Sequence, residues 1–286
     1  MSLYEEVRTA LNEHGLRPRK SLGQNFLVHE RVIEGILRLL ALSPDDQILE
    51  IGPGLGFLTR RLVEIAASVW AVEVDRGFAE RLRQGPLGMR SNFELIEGDV
   101  LTVPLEERLP KQKIKVVGNL PYNISTPVLF RLFELRNYFS FMVLMLQKEV
   151  ADRIASGTGS KDYGTLSVWC QLHGTVTDKI SVSPEAFFPK PKVRSTVLKI
   201  ELRPDALLRA SEIPIMRDLL RAAFGQRRKT LSNALMSWLQ RERPVIDRFL
   251  SDEHIDPQRR GETLSVAEFI KLARSLAQHD LTGVAC

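Results

Sequence analysis

A buried strand, a glycine turn and a helix follow one another in the stretch that most constrains the fold. Residues 47–51 are mostly apolar and predict a strand, and the next five residues (52–56) read Gly-Pro-Gly-Leu-Gly. Residues 58–65 then place apolar side chains at helical spacing. A strand followed by such a turn and a helix opens a βαβ unit. This order predicts an α/β fold with a parallel sheet.

Acidic side chains lie at the ends of the next two predicted strands. Glu73 lies in a second apolar segment, 21 residues after Gly52, and Asp99 lies near the end of a third predicted strand, residues 93–100. An acid at about 20 residues from the glycine turn is placed to bind ribose hydroxyls, and Asp99 is placed to accept a hydrogen bond from an adenine amino group. An ordinary strand-end carboxylate is the alternative for each acid, but the repetition favours a nucleoside site.

The glycine turn lacks the features of a phosphate-binding loop. Its pattern is G-x-G-x-G, because Phe57 occupies the place of the last glycine in G-x-G-x-x-G. Pro53 has no N–H to offer a phosphate, although Gly52 and Gly54 still let the backbone approach a ligand closely. The sequence therefore predicts a nucleoside site without a phosphate clamp, and S-adenosylmethionine fits it better than a nicotinamide dinucleotide.

The fourth predicted strand ends in a rigid turn that reads Gly-Asn-Leu-Pro-Tyr (118–122). Pro121 fixes its own φ and restricts the residue before it, so the Asn119 side chain and the Leu120 carbonyl can point at one spot beside the Tyr122 ring. Two acceptors and a flat ring suit the exocyclic amine of an aromatic base. We therefore predict that residues 119–122 form the catalytic group.

A basic, polar segment lies before the glycine turn. Residues 17–27 include a Pro and a Gly and fit either a solvated linker or a lid that folds over a ligand. In the second interpretation Arg19 and Lys20 face a phosphate backbone.

An aromatic segment lies in the second half of the chain. Phe187 and Phe188 precede Pro-Lys-Pro-Lys (189–192), a sequence unsuited to a core strand and typical of a stiff exposed loop. We expect one ring to pack inward and the other to face a base, with Lys190 and Lys192 facing phosphates.

The pattern changes to helices alone after residue 203. We predict a catalytic domain with an N-terminal lid over residues 1–203 and a helical domain for RNA or substrate recognition over residues 204–286. Three cations, Arg227, Arg228 and Lys229, precede a predicted helix in the second domain. A solvated face is the alternative, but RNA contact is favoured because the predicted lid is also basic.

Composition constrains the cellular compartment of the protein and the kinds of partner that it can have. The 286 residues include 40 Lys and Arg against 35 Asp and Glu, a basic surplus that permits a polyanionic partner. Two cysteines do not form a disulfide framework, and there is no apolar run of the roughly 18 residues that a membrane span needs. The five histidines show no paired ligand spacing. We therefore predict a cytoplasmic protein without a membrane partner or a metal.

Taken together, the motifs resemble ribosomal RNA adenine dimethyltransferases. The resemblance is carried by residues 25–27, residues 50–56, Glu73, residues 97–99, residues 118–125 and the loop over residues 187–195. Residues 224–231 are similar to the branch that acts on the small ribosomal subunit, and not to the erythromycin-resistance branch that acts on large-subunit RNA. Thr165 departs from the family pattern, in which an Arg is expected, and this affects one RNA contact.

The resemblance implies a Rossmann-like class I methyltransferase, dependent on S-adenosylmethionine, with a seven-stranded sheet and a small helical C-terminal domain. It implies transfer of two methyl groups to each of two adjacent adenosines near the 3′ end of 16S rRNA in a pre-30S particle, with S-adenosylhomocysteine as the product. We expect a monomer. The cofactor contacts that it implies are Asn25, Leu27, Gly52, Glu73, Asp99 and Asn119. With Gly54 of the glycine turn, these residues make a predicted cofactor site of seven residues.

Other functions stay open from the sequence. One is methylation of adenine in 23S rRNA or DNA, or of a small molecule, which uses the same Asn-x-Pro-Tyr chemistry. The other is a ribosome-assembly factor that acts mainly by binding. A substrate panel separates the first alternative, and a catalytically inactive variant that still supports subunit assembly would favour the second.

Overall fold

The computed structural model describes residues 2–13, 15–19, 22–226 and 228–279. The chain divides into two compact units. The first contains residues 1–151 and 175–202, and the second contains residues 152–174 and 203–286.

Nine strands are found among the described residues, and seven of them form one sheet. The strands are β1 (Phe26–Leu27), β2 (Gln47–Ile51), β3 (Ser68–Glu73), β4 (Phe93–Glu97), β5 (Ile114–Asn119), β6 (Phe139–Gln147), β7 (Gly174–Val182), β8 (Phe187–Phe188) and β9 (Ser195–Leu202).

The described α-helices alternate with the strands in the first half of the chain and dominate its end. They are α1 (Leu3–Glu13), α2 (Glu30–Leu40), α3 (Phe57–Val63), α4 (Arg76–Gln84), α5 (Ser125–Glu134), α6 (Lys148–Ala155), α7 (Thr165–His173), α8 (Glu212–Gly225), α9 (Leu231–Leu239), α10 (Arg243–Asp252) and α11 (Val266–His279).

The seven-stranded sheet has the order β4-β3-β2-β5-β6-β9-β7. The first five strands in this order pair in parallel, whereas β9 runs antiparallel to β6. The predicted α/β class with a seven-stranded, mainly parallel sheet is confirmed. Parallel strands bury both faces, which explains why β2, β5 and β6 are nearly continuous apolar segments.

The antiparallel strand β9 changes what lies at the functional edge of the sheet. Gln147, the last residue of β6, pairs with Ser195, the first residue of β9. The start of β9 therefore lies at the same edge as the carboxyl ends of the parallel strands. As a result, the aromatic segment before β9, which contains Phe187 and Phe188, leads into the same edge of the sheet as the predicted site residues.

The aromatic segment is not wholly the exposed loop that the sequence predicted. Phe187 and Phe188 form strand β8, which pairs antiparallel with β1 in a separate two-stranded sheet. Phe187 pairs with Leu27 and Phe188 with Phe26. Proline and lysine do exclude a longer strand, but two residues can still pair with a partner far away in sequence.

Helix α5 begins after Ile124, and no side chain caps it, although Ser125 and Thr126 are residue types that often cap helices. The Ser125 hydroxyl instead donates to the Pro121 and Tyr122 carbonyls, at 2.9 and 3.3 Å. It stabilises the turn after β5 rather than the helix terminus.

The second unit is helical, as the sequence predicts for the region beyond residue 203. Helix α11 begins behind Ser265, whose hydroxyl accepts from the Glu268 amide while the Glu268 carboxylate accepts from the Ser265 amide. This reciprocal pair is a capping box. Residues 152–174 group with this unit, although the predicted boundary placed them in the catalytic domain. One reason is that the Gly159 amide donates to the Glu262 carbonyl at 2.8 Å, and the Tyr163 and Phe224 rings are in edge contact with centroids 5.9 Å apart.

Candidate active site

The site lies in the first unit, at the point where the strand order reverses. Strand β2 is flanked by β3 on one side and β5 on the other, and ligands of open α/β sheets bind beyond the carboxyl ends of strands at such a point. A cleft that is partly open to solvent lies there. Its lining includes all seven residues predicted for the cofactor, Asn25, Leu27, Gly52, Gly54, Glu73, Asp99 and Asn119.

Close packing of β2 against β5 brings the catalytic turn next to the glycine turn. A Cβ on Gly118 would lie 2.9 Å from the Ile51 carbonyl oxygen, so no larger residue fits there without moving a strand. At Gly52, with φ of +70°, the nearest atom to an added Cβ is the Asn119 carbonyl oxygen at 4.0 Å. Glycine at 52 therefore leaves space between the two turns for a ligand.

The backbone amides of the three glycines in the turn already donate hydrogen bonds within the protein. Those of Gly52, Gly54 and Gly56 donate to the Val72 carbonyl, the Glu73 carboxylate and the Pro53 carbonyl, each at 2.9 Å. Pro53 itself has no N–H. This turn does not present the cluster of free amides that binds a pyrophosphate, in agreement with the sequence prediction.

Glu73 connects the glycine turn to the start of α4. Its carboxylate accepts from the Gly54 amide and from the Asp75 amide, both at 2.9 Å. Burial raises the pKa of Glu73, while the two amides act in the opposite direction. A carboxylate has about four acceptor positions, so capacity for ligand hydroxyls remains.

The charge of the cleft is one-sided. Glu50, Glu73 and Asp99 line it, and no Lys, Arg or His does so among the described residues. Asp99 accepts from the Leu101 amide at 2.9 Å through one carboxylate oxygen. A ligand that carries positive charge is favoured in such a cleft, and a polyphosphate is disfavoured.

Glu50 is the least satisfied of these acids. It lies in β2 with 3% of its surface exposed, and its Oε2 atom has no hydrogen-bond partner among the described residues. Burial raises the pKa of Glu50 to about 7, and the nearby Glu73 charge acts in the same direction. No role for Glu50 was predicted from the sequence, although an acid within an apolar strand, two residues before Gly52, is a recognisable signal.

Replacing Glu50 by Gln should make the stability of the protein less dependent on pH. A pKa near 7 in the folded state, against 4.5 for an unperturbed glutamate, means that folding favours the protonated form. The stability that this preference gives is complete below about pH 4.5 and is lost as the pH rises through 7. Relative to wild type, Glu50→Gln should therefore gain about 3 kcal/mol between pH 4.5 and 8.

Urea unfolding of the ligand-free proteins at several pH values measures this gain. Glu64→Gln, at an exposed helix end, is the matched control. A difference between wild type and Glu50→Gln that stays constant with pH would contradict the assignment.

The amide of Asn119 has a defined orientation. Its Nδ2 group donates to the Asn25 carbonyl oxygen at 2.8 Å. A carbonyl can only accept, so the NH₂ end must face Asn25 and the Oδ1 atom must face away from that carbonyl. The Asn25 side chain donates to the Gly23 carbonyl at 3.0 Å. The segment predicted as a lid thus orients the predicted catalytic amide.

The other three predicted catalytic residues of the turn also line the cleft. Leu120 has only 1% of its surface exposed, and its amide donates to the Met145 carbonyl at 3.1 Å. Its carbonyl is therefore the group of interest, and its side chain belongs to the core. Pro121 follows it, and Tyr122 is half-buried with its hydroxyl 2.7 Å from that of Ser195.

The two phenylalanines differ as the sequence predicts. Phe187 is 3% exposed and packs in the core cluster that contains Ile36 and Val197. Phe188 is half-buried and makes an edge contact with Tyr4, with ring centroids 5.3 Å apart. One ring therefore packs inward, which confirms that part of the prediction. Neither ring is among the residues that line the cleft, so their role in stacking stays a prediction.

The predicted RNA contacts of the first unit lie on its surface. Arg19 is exposed and forms an ion pair with Asp75 at 3.4 Å. Lys190 is exposed and pairs with Glu185, and Lys192 is exposed. Lys20 lies outside the described residues.

Two predicted RNA contacts are described in the second unit. Arg228 and Lys229 are exposed just before α9, whereas Arg227 lies outside the described residues. Thr165, the departure from the family pattern, is the first residue of α7.

Asp75 is a residue whose importance the sequence analysis missed. Its carboxylate accepts from the Gly77 and Phe78 amides at the start of α4 and from the Gln24 side chain at 3.2 Å. Together with its ion pair to Arg19, this holds the predicted lid against the end of β3. The acid two residues after Glu73 is visible in the sequence, but its partner 51 residues earlier is not.

The described residues contain no group of three His, Cys, Asp or Glu side chains that could hold a metal ion. Within the same part of the chain, no helix combines the length and apolar character that crossing a bilayer requires.

A mainly parallel seven-stranded sheet with a glycine turn and successive strand-end acids around one cleft defines the class I methyltransferases, enzymes that use S-adenosylmethionine. The crystal structure of a dimethyladenosine transferase from Plasmodium falciparum matches this chain with a TM-score of 0.74 at 26% identity, covering 89% of this chain and 97% of its own.

Sequence comparisons narrow the class to one family. A family model described as Ribosomal RNA adenine dimethylase matches residues 15–278. Two proteins named Ribosomal RNA small subunit methyltransferase A, from Geobacter sulfurreducens and Geobacter metallireducens, are 46% and 44% identical, each covering 92% of this chain and 96% of its own. The chain belongs to the ribosomal RNA adenine dimethylase family and is a methyltransferase.

Proposed function

We propose that the protein transfers methyl groups from S-adenosylmethionine to the N6 amines of two adjacent adenosines near the 3′ end of 16S rRNA, two to each, in a pre-30S particle. It acts in the cytoplasm as a monomer and contributes to small-subunit biogenesis. The observation that carries the proposal is the juxtaposition, in one anionic cleft, of the Asn119 amide and three buried or half-buried acids. The names of the Geobacter relatives support the small subunit as the target.

The cleft fits the donor by its charge and by the hydrogen-bond acceptors that line it. S-adenosylmethionine has a sulfonium and an ammonium group and no phosphate, which suits a cleft with three acids and no lining cation among the described residues. When bound, it supplies an activated methyl group. Glu73 is placed to accept from ribose hydroxyls, and Asp99 from the adenine amine. Gly52 and Gly54 allow close backbone approach, and Asn25 and Leu27 cover the cleft from the lid.

Asn119 and Leu120 act on the base to be methylated. The N6 lone pair of adenine is delocalised into the ring, so the amine is a poor nucleophile. Hydrogen bonds from its two N–H groups to Asn119 Oδ1 and the Leu120 carbonyl favour a more tetrahedral nitrogen whose lone pair is free to attack. Neither acceptor needs to be a strong base, because the proton leaves after the nitrogen has become cationic. Positioning and acceptors placed where positive charge develops account for most of the rate.

The second methylation is more demanding than the first. A monomethylated amine has one N–H left to orient, and the site must also hold the first methyl group.

The adenosine must also leave its stack before each reaction, at a cost of a few kcal/mol. Aromatic stacking can offset roughly 1–3 kcal/mol per contact. Tyr122 is one candidate for this role, and a phenylalanine of β8 is the other.

Alanine substitutions distinguish the two phenylalanines. Phe188 is the more exposed ring, although it also packs against the core cluster that contains Phe26, so Phe188→Ala should raise the KM for RNA about 10-fold and cost less stability than Phe187→Ala. Phe187→Ala removes a core ring and should lower the free energy of unfolding by about 3–5 kcal/mol. Steady-state kinetics and urea unfolding measure both. A normal KM for Phe188→Ala would assign stacking to another ring.

Transfer of labelled methyl groups to unmethylated 30S particles tests the proposed function directly. Naked rRNA and 50S subunits are the controls, and mapping identifies the modified base. We expect dimethyladenosine at two adjacent positions near the 3′ end of 16S rRNA. Label in 23S rRNA, in DNA or in a small molecule would support one of the alternatives instead.

A further inference from the structure

We propose that Ser195 is a positioning residue for the transfer reaction, because it holds the Tyr122 ring by its hydroxyl and thereby fixes the wall against which the adenine lies. The inference rests on the proposed function. It assigns a role to a residue that lies in the first position of β9, outside the four-residue catalytic turn.

The contact joins a ring at the cleft to a fully buried hydroxyl. Tyr122 Oη lies 2.7 Å from Ser195 Oγ, and either atom can donate. Ser195 has no exposed surface, whereas Tyr122 is half-buried and lines the cleft. Burial raises the pKa of Tyr122, so its hydroxyl keeps its proton and the pair stays a neutral hydrogen bond.

Ser195 is a rigid anchor because the sheet fixes its position. It pairs with Gln147 across β6 and β9, and next to this pair the Lys148 amide donates to the Arg194 carbonyl at 2.9 Å. The side chain of Ser195 therefore projects from a continuous, buried ladder of hydrogen bonds, and it has little freedom to follow a moving ring.

The backbone of the catalytic turn is fixed by other groups. The Leu120 amide donates to Met145, and the Ser125 hydroxyl donates to the carbonyls of Pro121 and Tyr122. These bonds do not restrain the Tyr122 side chain beyond its Cα. Among the described residues, the Tyr122 hydroxyl forms one hydrogen bond, and its partner is Ser195. Without it the ring could leave its rotamer while Asn119 and Leu120 kept their places.

A fixed ring matters most for the second methyl transfer. With two N–H groups, both acceptors of the turn orient the amine. With one N–H left, half of that restraint is gone, and the orientation of the base depends more on the surfaces that contact its ring. Loss of the Ser195 contact should therefore reduce the second transfer more than the first.

A double-mutant cycle tests the proposal. Tyr122→Phe keeps the ring and removes the hydroxyl, and Ser195→Ala removes the partner. Each variant should lower kcat/KM for 30S particles about 10-fold and raise the fraction of monomethyladenosine. The double variant should lose about 10-fold as well, and not 100-fold, because all three lack the same contact. Calorimetry should show a donor Kd within twofold of wild type.

Ser140→Ala is the matched control. Ser140 lies in β6, the strand that pairs with β9, and its hydroxyl donates to the Ile114 carbonyl at 3.2 Å, but at the opposite edge of the sheet. It should leave kcat/KM and the product ratio unchanged. NMR of the ligand-free protein gives a readout that does not depend on activity: the Tyr122 ring should flip faster in Ser195→Ala than in wild type.

Several outcomes would overturn the proposal. These are an unchanged product ratio in Tyr122→Phe, additive losses in the double variant, a donor Kd that weakens in parallel with the rate, or an unchanged flip rate. If Ser195→Ala is unfolded at the assay temperature, Tyr122→Phe decides alone, because it changes nothing in the buried strand. Failure of wild type to methylate 30S particles contradicts the proposed function instead, and the flip rate still tests the contact.

Discussion

Asn119→Ala should lower kcat for methyl transfer by 10³-fold or more while donor binding is partly retained. The substitution removes one of the two acceptors that orient the adenine amine, and losing one preorganised hydrogen-bonding group in an active site costs about 10²–10³ in rate. It also removes the bond to the Asn25 carbonyl, so the predicted lid loses one of its attachments. The cost therefore exceeds that of a single acceptor. Single-turnover kinetics with 30S particles measures the rate, and calorimetry measures the donor Kd.

Asn92→Ala is a control for the loss of an amide. Asn92 donates to the Val63 and Ala66 carbonyls before β4, at the opposite edge of the sheet. It should cost stability but leave the rate constant of the folded enzyme near that of wild type. Turnover at the wild-type rate in Asn119→Ala would remove Asn119 from the mechanism and would overturn the proposed site.

Glu73→Ala should weaken donor binding by about 10²–10³-fold. Hydrogen bonds to a charged group contribute roughly 1.5–3 kcal/mol each, and two ribose hydroxyls lose their acceptor. The same change leaves the Gly54 and Asp75 amides without their partner, so a lower melting temperature should accompany the loss. Glu73→Gln keeps one acceptor oxygen, so its donor affinity and its melting temperature should both fall less than those of Glu73→Ala. Calorimetric titration with the donor gives the Kd.

Glu97→Ala separates this effect from a general loss of charge. Glu97 ends the neighbouring strand and pairs with Glu73 across β3 and β4, but it is exposed, forms an ion pair with Arg83 and does not line the cleft. Donor affinity should be nearly unchanged in this variant. An equal loss of donor affinity in both variants would show that Glu73 acts only through the electrostatic field of the negative charges at this edge of the sheet.

The inactive Glu73→Ala protein also addresses the assembly-factor alternative. If this variant restores normal subunit assembly in cells that lack the protein, then the main role of the protein in assembly is to bind the particle, and methylation is secondary. If assembly fails although the variant is folded and still binds 30S particles, methylation itself is required.

The sequence predicted the sheet, and it predicted that the residues proposed for the cofactor converge at one edge of it, because both depend on local patterns. Continuous apolar segments give parallel strands their character, and the carboxyl ends of such strands meet at one edge. Glu73, Asp99 and Asn119 each end or follow such a segment, so their convergence followed from topology alone. The cleft contains all of them.

What the sequence did not predict depends on partners far away along the chain. The pairing of Phe26 with Phe188 joins residues 162 positions apart, and no pattern in two residues reveals it. The contact of Gln24 with Asp75 and that of Tyr122 with Ser195 have the same character. Glu50 Oε2, which has no hydrogen-bond partner in the described part of the chain, is missed for another reason: a missing partner leaves no pattern in the sequence.

The antiparallel placement of β9 has a consequence for how the protein is synthesised. Strand β6 carries apolar side chains on both faces and is bordered on one side by β9, whose last residue is Leu202. A nascent chain that stops short of this point leaves β6 as an apolar sheet edge, a template for joining other chains. Prematurely terminated products should therefore aggregate, and quality control in the cell should remove them.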